Sequence, residues 1–207
     1  MVDRYHHGSL RPTLIEQGLE LVIETGPSGL TVRELTARVG VSPSAIYRHF
    51  PDFEHVKSAV AQASRQALGT WMIEAADAVE AEADPRRAAQ LRFRTLGEAY
   101  LTFALNEPNV FSMAFHQTEA LLAQPDDPDP WRVLLDSLED LARDGQLPEH
   151  LLADAPIIAW SSVHGLATIL VSARTPVTLE TRSTITAVID GVGRALELPV
   201  WDPIEES

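Results

Sequence analysis

The residues best suited to chemistry form a short polar run between positions 42 and 49. The run contains hydrogen-bond donors and small groups: Ser42, Pro43, Ser44, Tyr47, Arg48 and His49. Such groups suit the base edges and phosphates of a nucleic-acid groove. The sequence has no nucleophile paired with a base, no Gly-rich phosphate loop and no metal motif at recognisable spacing, so it predicts binding rather than a reaction.

Two short helices are predicted to position this run. Thr31 and Glu34 form a T-x-x-E capping box, in which the hydroxyl and the carboxylate satisfy backbone amides at a helix start. That helix ends at Gly40, because glycine tolerates the left-handed backbone that terminates helices. Ser42 then offers an N-cap and Pro43 takes the first helical position. Two short helices joined by a glycine turn predict a helix-turn-helix whose second helix presents the polar run.

The aromatic residues of this segment also admit a structural interpretation. Phe50 is expected in the core, on the stripe formed by Leu35, Val39, Val41 and Ile46. Tyr47 could share that core and Arg48 could be a solvated surface charge. We favour an exposed Tyr47 and DNA binding, because the capping box, the glycine turn, the Ser-Pro cap and the aromatic-basic tail coincide.

The run V-S-x-x-x-I-Y-R-H-F, residues 41–50, resembles the DNA-binding domain of TetR-type transcriptional regulators. The resemblance covers residues 5–57 and implies that Tyr47 and His49 lie near the DNA backbone. One position departs from the pattern, since Phe53 stands where family members usually carry a phosphate-binding lysine. Lys57, the only lysine of the chain, lies one turn further along and is the alternative phosphate contact.

The predicted DNA contacts extend beyond the second helix. The full set is Arg4, Thr31, Arg33, Ser42, Pro43, Ser44, Tyr47, Arg48, His49 and Lys57. Arg4 belongs to an N-terminal arm, R-Y-H-H, that is too polar for a core. It either enters the minor groove, as the arms of homeodomains do, or is part of a tail that makes no contact.

Composition limits the other possibilities. The 207 residues include no cysteine, which excludes disulfides, thiolate metal sites and a cysteine nucleophile. The net charge is −14, but residues 1–60 hold six basic and seven acidic residues, so the acidity belongs to the rest of the chain. An acidic C-terminal part would repel DNA and leave the duplex to the N-terminal face. We recognised no uncharged apolar segment approaching about 18 residues, so neither export nor membrane insertion is expected, and the protein is predicted to be cytoplasmic.

Helical periodicity predicts an all-α chain with two domains. The first is the N-terminal arm and helix-turn-helix DNA-binding domain, residues 1–51, and the second is a ligand-binding and dimerisation domain, residues 52–207. A first helix, capped by Ser9 and ended by the turn residues 26–29, precedes the two short helices. Asp52 can cap a fourth helix that continues to about residue 84, on the order of 45 Å. Five further helices are predicted at 86–106, 109–116, 131–143, after Pro156, and 179–196.

Bulky side chains from several of these helices are candidates for lining a ligand cavity. They are Tyr100, Phe103, Phe111, Phe115, His116, Trp131, Trp160 and His164. Each alone fits a core position, but the resemblance implies a cavity, which a small, partly apolar ligand would enter between the fifth, seventh and eighth helices. His116 and His164 would orient a polar group of that ligand or, with Glu119, hold a metal. Two histidines without i, i+4 spacing do not make a metal motif, so no metal or cofactor is expected.

The run W-x-x-x-H-G, from Trp160 to Gly165, is similar to a subgroup of TetR regulators. This resemblance implies a two-fold homodimer in which the last two helices of each chain form a four-helix bundle. The same helix carries a face of small residues, which permits close backbone approach: Ser161, Gly165, Thr168 and Ser172. Packing within one chain is the alternative for Gly165.

Together these features predict a transcriptional regulator without enzymatic activity. It would act as a repressor, binding palindromic double-stranded DNA as a homodimer and leaving it when a small-molecule effector binds. The alternative is a helical ligand carrier or enzyme that has lost DNA binding, for which Phe53 and the near-neutral N-terminal charge are the arguments.

Overall fold

The computed structural model describes residues 10–79, 84–116 and 127–199, and within them every regular element is a helix. The α-helices are α1 Leu10–Thr25, α2 Val32–Val39, α3 Pro43–Ile46, α4 Phe53–Asp77, α5 Pro85–Asn106, α6 Pro108–Ala114, α7 Pro130–Arg143, α8 Ala155–Ser172 and α9 Leu179–Ala195. This confirms the all-α fold. The order of the helices also follows the sequence prediction.

The chain divides into two compact units, and their boundary differs from the division at 51/52. One unit comprises Met1–Ala67 and Glu107–Asp127, and the other comprises Leu68–Asn106 and Pro128–Ser207. The first part of α4 therefore belongs to the first unit. Its residues Val56 and Val60 are buried in the same core as Leu35 of α2.

α6 also belongs to the first unit, which the sequence did not indicate. Met113 of α6 is buried in the core of this unit. The Asn109 side chain donates from Nδ2 to the carbonyl of Ile23 at 3.0 Å. Arg65 donates from Nη1 to the carbonyl of Ala114 at 2.9 Å. These bonds attach the two ends of α6 to α1 and α4, respectively.

The helix-turn-helix segment forms largely for the predicted reasons. The Thr31 hydroxyl accepts a hydrogen bond from the amide of Glu34 at 3.2 Å, and Gly40 ends α2 with a φ of 74°. Ser42 occupies the N-cap of α3, but its Oγ lies 2.9 Å from the hydroxyl of Ser44 instead of capping an amide. α3 spans only Pro43–Ile46, so Tyr47, Arg48 and His49 follow the end of the helix instead of lying within it.

α4 is shorter than the sequence indicated. It begins after Asp52, whose Oδ1 accepts from the amide of His55 at 3.0 Å. It ends at Asp77 rather than near residue 84. Its 25 residues correspond to roughly 38 Å.

In the second unit, α5 packs against α7, α8 and α9. Phe93, Leu96, Tyr100 and Phe103 form the buried face of α5, as their spacing predicts. On another side of α5, the Arg94 guanidinium joins α5 to α9, with Nη1 2.6 Å from an Asp190 oxygen.

α8 corrects the expectation that no uncharged apolar segment approaches about 18 residues. Its 18 residues include no Asp, Glu, Lys or Arg and have a mean hydropathy of 1.4, so among the described residues it is the one helix long and apolar enough to cross a membrane. Serines and a histidine interrupt the apolar residues of this segment, so it does not stand out as a continuous apolar run. Its outward residues include Ile157 and Ile169, which are 55% and 65% exposed. Exposed apolar residues on one face of a helix are typical of a surface that another surface covers.

Candidate nucleic-acid interface and ligand cavity

The predicted polar run forms an exposed surface on the first unit. Ser42, Pro43, Ser44, Arg48 and His49 are exposed. On the same segment, Tyr47 is 48% exposed whereas Phe50 is 2% exposed. The phenol is therefore available to a partner, and the phenyl ring anchors the segment in the core.

The cations of this unit differ in how they are paired. Arg38 binds both carboxylate oxygens of Glu24, at 2.5 and 2.6 Å. Arg33 is more open, since its Nε lies 3.8 Å from the carboxylate of Glu34. Arg48 is exposed. Arg33 and Arg48 are thus better available to phosphate than Arg38.

Lys57, the alternative phosphate contact, is held by its own helix. Its Nζ lies 2.8 Å from a carboxylate oxygen of Glu54 and 5.8 Å from the centre of the Phe53 ring. A phosphate would have to compete with Glu54. The predicted contact at Lys57 therefore stays a prediction with a weaker physical basis than the one at Arg48.

Arg11 is a residue that sequence reasoning missed. Its Nη1 donates to the carbonyl of His49 at 3.2 Å, and its guanidinium carbon lies 4.2 Å from the centre of the Phe50 ring. Arg11 thus holds the backbone just after α3. No local signal points to it, because its partners are about 38 positions away in the sequence. Arg4 lies outside the described residues.

The second unit contains a small, mainly apolar cavity of about 40 Å³ that is partly open to solvent. Residues of α4, α5, α7, α8 and α9 line it: Met72, Phe93, Leu96, Gly97, Tyr100, Pro130, Leu134, Ala159, Trp160, Val163, His164, Ile189 and Val192. α5, α7 and α8, between which a ligand was predicted to enter, all contribute. None of the lining residues is Asp, Glu, Lys or Arg.

An aromatic cluster with one polar pair forms one wall of the cavity. The Trp160 ring stacks on His164 at 5.5 Å and 15°, and Tyr100 meets Trp160 edge-on at 5.6 Å. The Tyr100 hydroxyl lies 2.7 Å from Nδ1 of His164. At the other end of the cluster, the centre of the Trp131 ring lies 5.4 Å from that of Trp160.

The polar pair is uncharged at neutral pH. Burial raises the pKa of Tyr100, and the negative charge of Asp129 adds to this effect. Burial lowers the pKa of His164. Both shifts follow from the cost of placing a charge in apolar surroundings. The cavity therefore offers hydrogen bonding without formal charge.

The structure separates the predicted ligand residues into two groups. Tyr100, Trp160 and His164 line the cavity, and Trp131 contacts it through Trp160. Phe103 lies in the same unit but packs edge-on against Trp71 at 6.1 Å. The remaining three predicted residues belong to the first unit and are not among the lining residues: Phe111, Phe115 and His116.

The alternative metal set consists of His116, His164 and Glu119. Glu119, the third member of the alternative metal set, lies outside the described residues, and no group of three or more potential metal ligands occurs in the described part. The spacing of Ile189 and Val192 predicts an apolar stripe along α9, but neither was a candidate for the cavity that both line. Their periodicity showed that they are inward-facing but not that a cavity lies beside them.

α8 also presents an outward strip of apolar and small residues. Ile169 is 65% exposed, and Ser161 and Thr168 are exposed. A Cβ built on Gly165 would meet no atom within 4 Å. The alternative that Gly165 serves close packing within one chain is therefore wrong for the described part of the chain.

Comparison with known proteins gives matches to both parts of the chain. The family model "Bacterial regulatory proteins, tetR family" matches residues 14–55, and the model "Tetracyclin repressor-like, C-terminal domain" matches residues 93–192. No curated protein sequence matches the chain significantly.

Solved structures resemble the whole chain. A protein of unknown function from Rhodococcus sp. RHA1 is 25% identical with a TM-score of 0.72, over 95% of this chain and 100% of that one. A TetR variant from Acinetobacter baumannii AYE in complex with minocycline is 18% identical with a TM-score of 0.61, over 95% and 97%. RolR in complex with resorcinol is 15% identical with a TM-score of 0.59, over 91% and 87%.

Proposed function

Because the chain belongs to the TetR family of transcriptional regulators, we propose that it is a repressor that binds a palindromic operator as a homodimer and leaves it when a small, partly apolar effector binds. The observation that carries this proposal is the exposed surface of Ser44, Tyr47 and Arg48 above the buried Phe50. Polar and aromatic groups in and just after the second helix of a helix-turn-helix suit base edges and phosphates. A regulator of this kind acts beside DNA in the cytoplasm.

The outward strip of α8 supports the homodimer. Ile157 and Ile169 are exposed, and Gly165 leaves room for a close approach. A second copy would cover this uncharged surface with an identical one, as two-fold interfaces do. Ile169→Glu should convert the dimer into monomers in sedimentation equilibrium, whereas Ile23→Glu, a matched change on the first unit, should not. A wild-type protein that is monomeric at micromolar concentration, or that requires detergent, would contradict the proposal.

The cavity supports effector binding. Similar structures carry minocycline and resorcinol, and the cavity of this chain offers an apolar lining with a polar pair. α4 contributes Val60 to the core of the first unit and Met72 to the cavity. A ligand that displaces Met72 would act on the same helix that supports the DNA-binding surface. Release requires that the ligand bind the DNA-incompetent arrangement more tightly.

The test begins with an operator selected from random double-stranded DNA by the purified protein. Fluorescence anisotropy should show that the logarithm of the affinity falls linearly with the logarithm of the salt concentration, since cationic side chains displace condensed counterions from phosphate. Arg48→Ala should flatten the slope by about one unit. Arg38→Ala is the control, because Arg38 is already paired with Glu24, and it should leave the slope unchanged. Failure to select any DNA sequence would favour the alternative of a helical carrier or enzyme without DNA binding.

A further inference from the structure

The cavity of the second unit is lined without Asp, Glu, Lys or Arg, and this property restricts its ligand. We propose that it takes a small uncharged molecule of one aromatic ring carrying a hydroxyl or similar hydrogen-bonding group, and that it rejects ionised molecules of the same size. This inference rests on the proposed effector role of the cavity and specifies the chemical class of the effector.

The lining residues favour a neutral ligand. Twelve of the thirteen lining positions are apolar or aromatic residues or glycine, and the other is His164. A charged ligand would lose its hydration without gaining a counter-ion from this lining. An uncompensated buried charge costs far more than a buried hydroxyl. The balance therefore favours a neutral ligand.

The aromatic cluster favours a ligand with a flat ring. Trp160 is surrounded by three rings, with its centre 5.4 to 5.6 Å from those of Trp131, His164 and Tyr100. Edge-on and stacked contacts at these distances are the arrangements that aromatic rings prefer. A planar ligand ring placed against Trp160 would extend the same packing. Flat aromatic molecules thus fit better than branched aliphatic ones.

The polar pair formed by Tyr100 and His164 favours a ligand with a hydrogen-bonding group. The Tyr100 hydroxyl can both donate and accept, and its partner at 2.7 Å is Nδ1 of His164. A hydroxyl of the ligand can join this pair by one hydrogen bond. Burial keeps both groups neutral, because it raises the pKa of Tyr100 and lowers that of His164. The pair therefore recognises a polar group without attracting an ion.

A cationic ligand is the main competitor, since aromatic rings also attract ammonium groups. The carboxylate that influences Tyr100 is Asp129. Asp129 is occupied at the N-terminus of α7, where its Oδ1 accepts from the amide of Trp131 at 2.9 Å, and it is not a lining residue. The cation would gain ring contacts but no buried counter-ion. Neutral ligands are therefore favoured over cations as well as anions.

The test compares four probes of one ring on the full-length protein without DNA, at about pH 7.5: benzyl alcohol, ethylbenzene, benzoate and benzylamine. Binding is followed by NMR through the indole N–H resonances, with the Trp160 signal assigned by Trp160→Phe. Benzyl alcohol and ethylbenzene should shift the Trp160 signal. Benzoate and benzylamine should each bind at least ~10-fold more weakly than benzyl alcohol, the effect of burying an unpaired charge.

Tyr100→Phe tests the polar pair, because it removes the hydroxyl and keeps the ring. It should weaken benzyl alcohol by about 3- to 10-fold and leave ethylbenzene within about 2-fold, as expected for one hydrogen bond. Tyr47→Phe removes an exposed hydroxyl of the first unit and is the matched control, with no change for either probe. His164→Asn tests the same pair from the other side if Tyr100→Phe does not fold.

Three results would overturn the inference. They are binding of benzoate or benzylamine as tight as that of benzyl alcohol, no Trp160 shift with either neutral probe, and an equal loss of benzyl alcohol and ethylbenzene in the variants of the polar pair. Operator affinity is then measured separately with the tightest probe. Benzyl alcohol that binds without changing operator affinity supports the ligand class and contradicts the regulatory function, whereas release of DNA by a charged probe does the reverse.

Discussion

The two compact units place their polar groups in opposite ways. In the first, Ser44, Tyr47 and Arg48 lie on the surface above an apolar core. In the second, Tyr100 and His164 line an apolar cavity and their side chains pair with each other. Exposed cations act on a partner through screened electrostatics, whereas an enclosed pair acts through desolvation. Salt should therefore control binding at the first unit, and the charge of the ligand should control binding at the second.

The largest expected effect separates the two units by removing the centre of the aromatic cluster. Trp160→Ala should retain operator binding but lose its release by benzyl alcohol, a coupling worth about 1–3 kcal/mol. Trp71→Ala is the control, because Trp71 contacts Phe103 and is not a lining residue. Anisotropy titrations with and without benzyl alcohol measure the effect. Normal release by the Trp160→Ala protein would place the effector site elsewhere.

The converse prediction removes the phenol of the first unit. Tyr47→Ala should weaken operator binding by about 1–3 kcal/mol, the usual value of a lost base or shape contact. Ser44→Ala, on the same surface, should act in the same direction. Neither change should lower the melting temperature in circular dichroism. A Tyr47→Ala protein as destabilised as Phe50→Ala would show that the phenol supports the core instead of contacting DNA.

The sequence predicted the first unit better than the second because its signals are local. Thr31, Gly40 and Pro43 lie within one short segment, and each acts on the backbone beside it. The spacing of Ile46 and Phe50 predicts that both are buried, and a backbone hydrogen bond from the Phe50 amide to the Ile46 carbonyl keeps them together although α3 has already ended. Arg11 was missed, because its contact with His49 depends on how distant segments pack.

The cavity depends on contacts that spacing does not encode. Tyr100 and Trp160 meet although 60 positions of sequence separate them. Phe111 and Phe115 have the same aromatic character, yet the hydrogen bond of Asn109 to Ile23 attaches their helix to the first unit. Aromatic composition therefore indicated candidates for a cavity but not which of them share it. The same reasoning explains Lys57, whose pairing with Glu54 depends on side-chain placement.

A smaller effect is expected from two glycines of the second unit. A Cβ on Gly69 would lie 2.1 Å from the carbonyl oxygen of Pro128, next to the cavity residue Pro130. A contact this short with backbone costs about 2–3 kcal/mol, the upper part of the range for overpacking, which exceeds the gain of up to about 1 kcal/mol from alanine in a helix. Gly69→Ala should therefore lower the free energy of unfolding by about 1–2 kcal/mol in urea denaturation.

Gly165→Ala is the matched change, because a Cβ there meets no atom within 4 Å. Within one chain it should gain stability from helix propensity. A loss of stability that grows with protein concentration would instead assign the clash to a second copy. Equal stability changes at the two glycines, independent of concentration, would contradict the difference in packing between them.

The smallest expected effect is a pH dependence confined to the second unit. Burial lowers the pKa of His164 from its ordinary value of 6.5, so the folded protein resists the protonation that the unfolded chain accepts. The resulting stability is present above pH 6.5 and is lost as the pH falls through the lower folded pKa. Near-UV circular dichroism of urea unfolding, repeated at decreasing pH, should show this loss in the wild type and not in His164→Gln. His116→Gln, at an exposed position of the first unit, should retain the wild-type profile, because the titration that matters is the one beside Tyr100. If the loss of stability at low pH persists in His164→Gln, another group controls the pH response. The cavity would then accommodate a protonated imidazole, and the distinction between the two units would be removed.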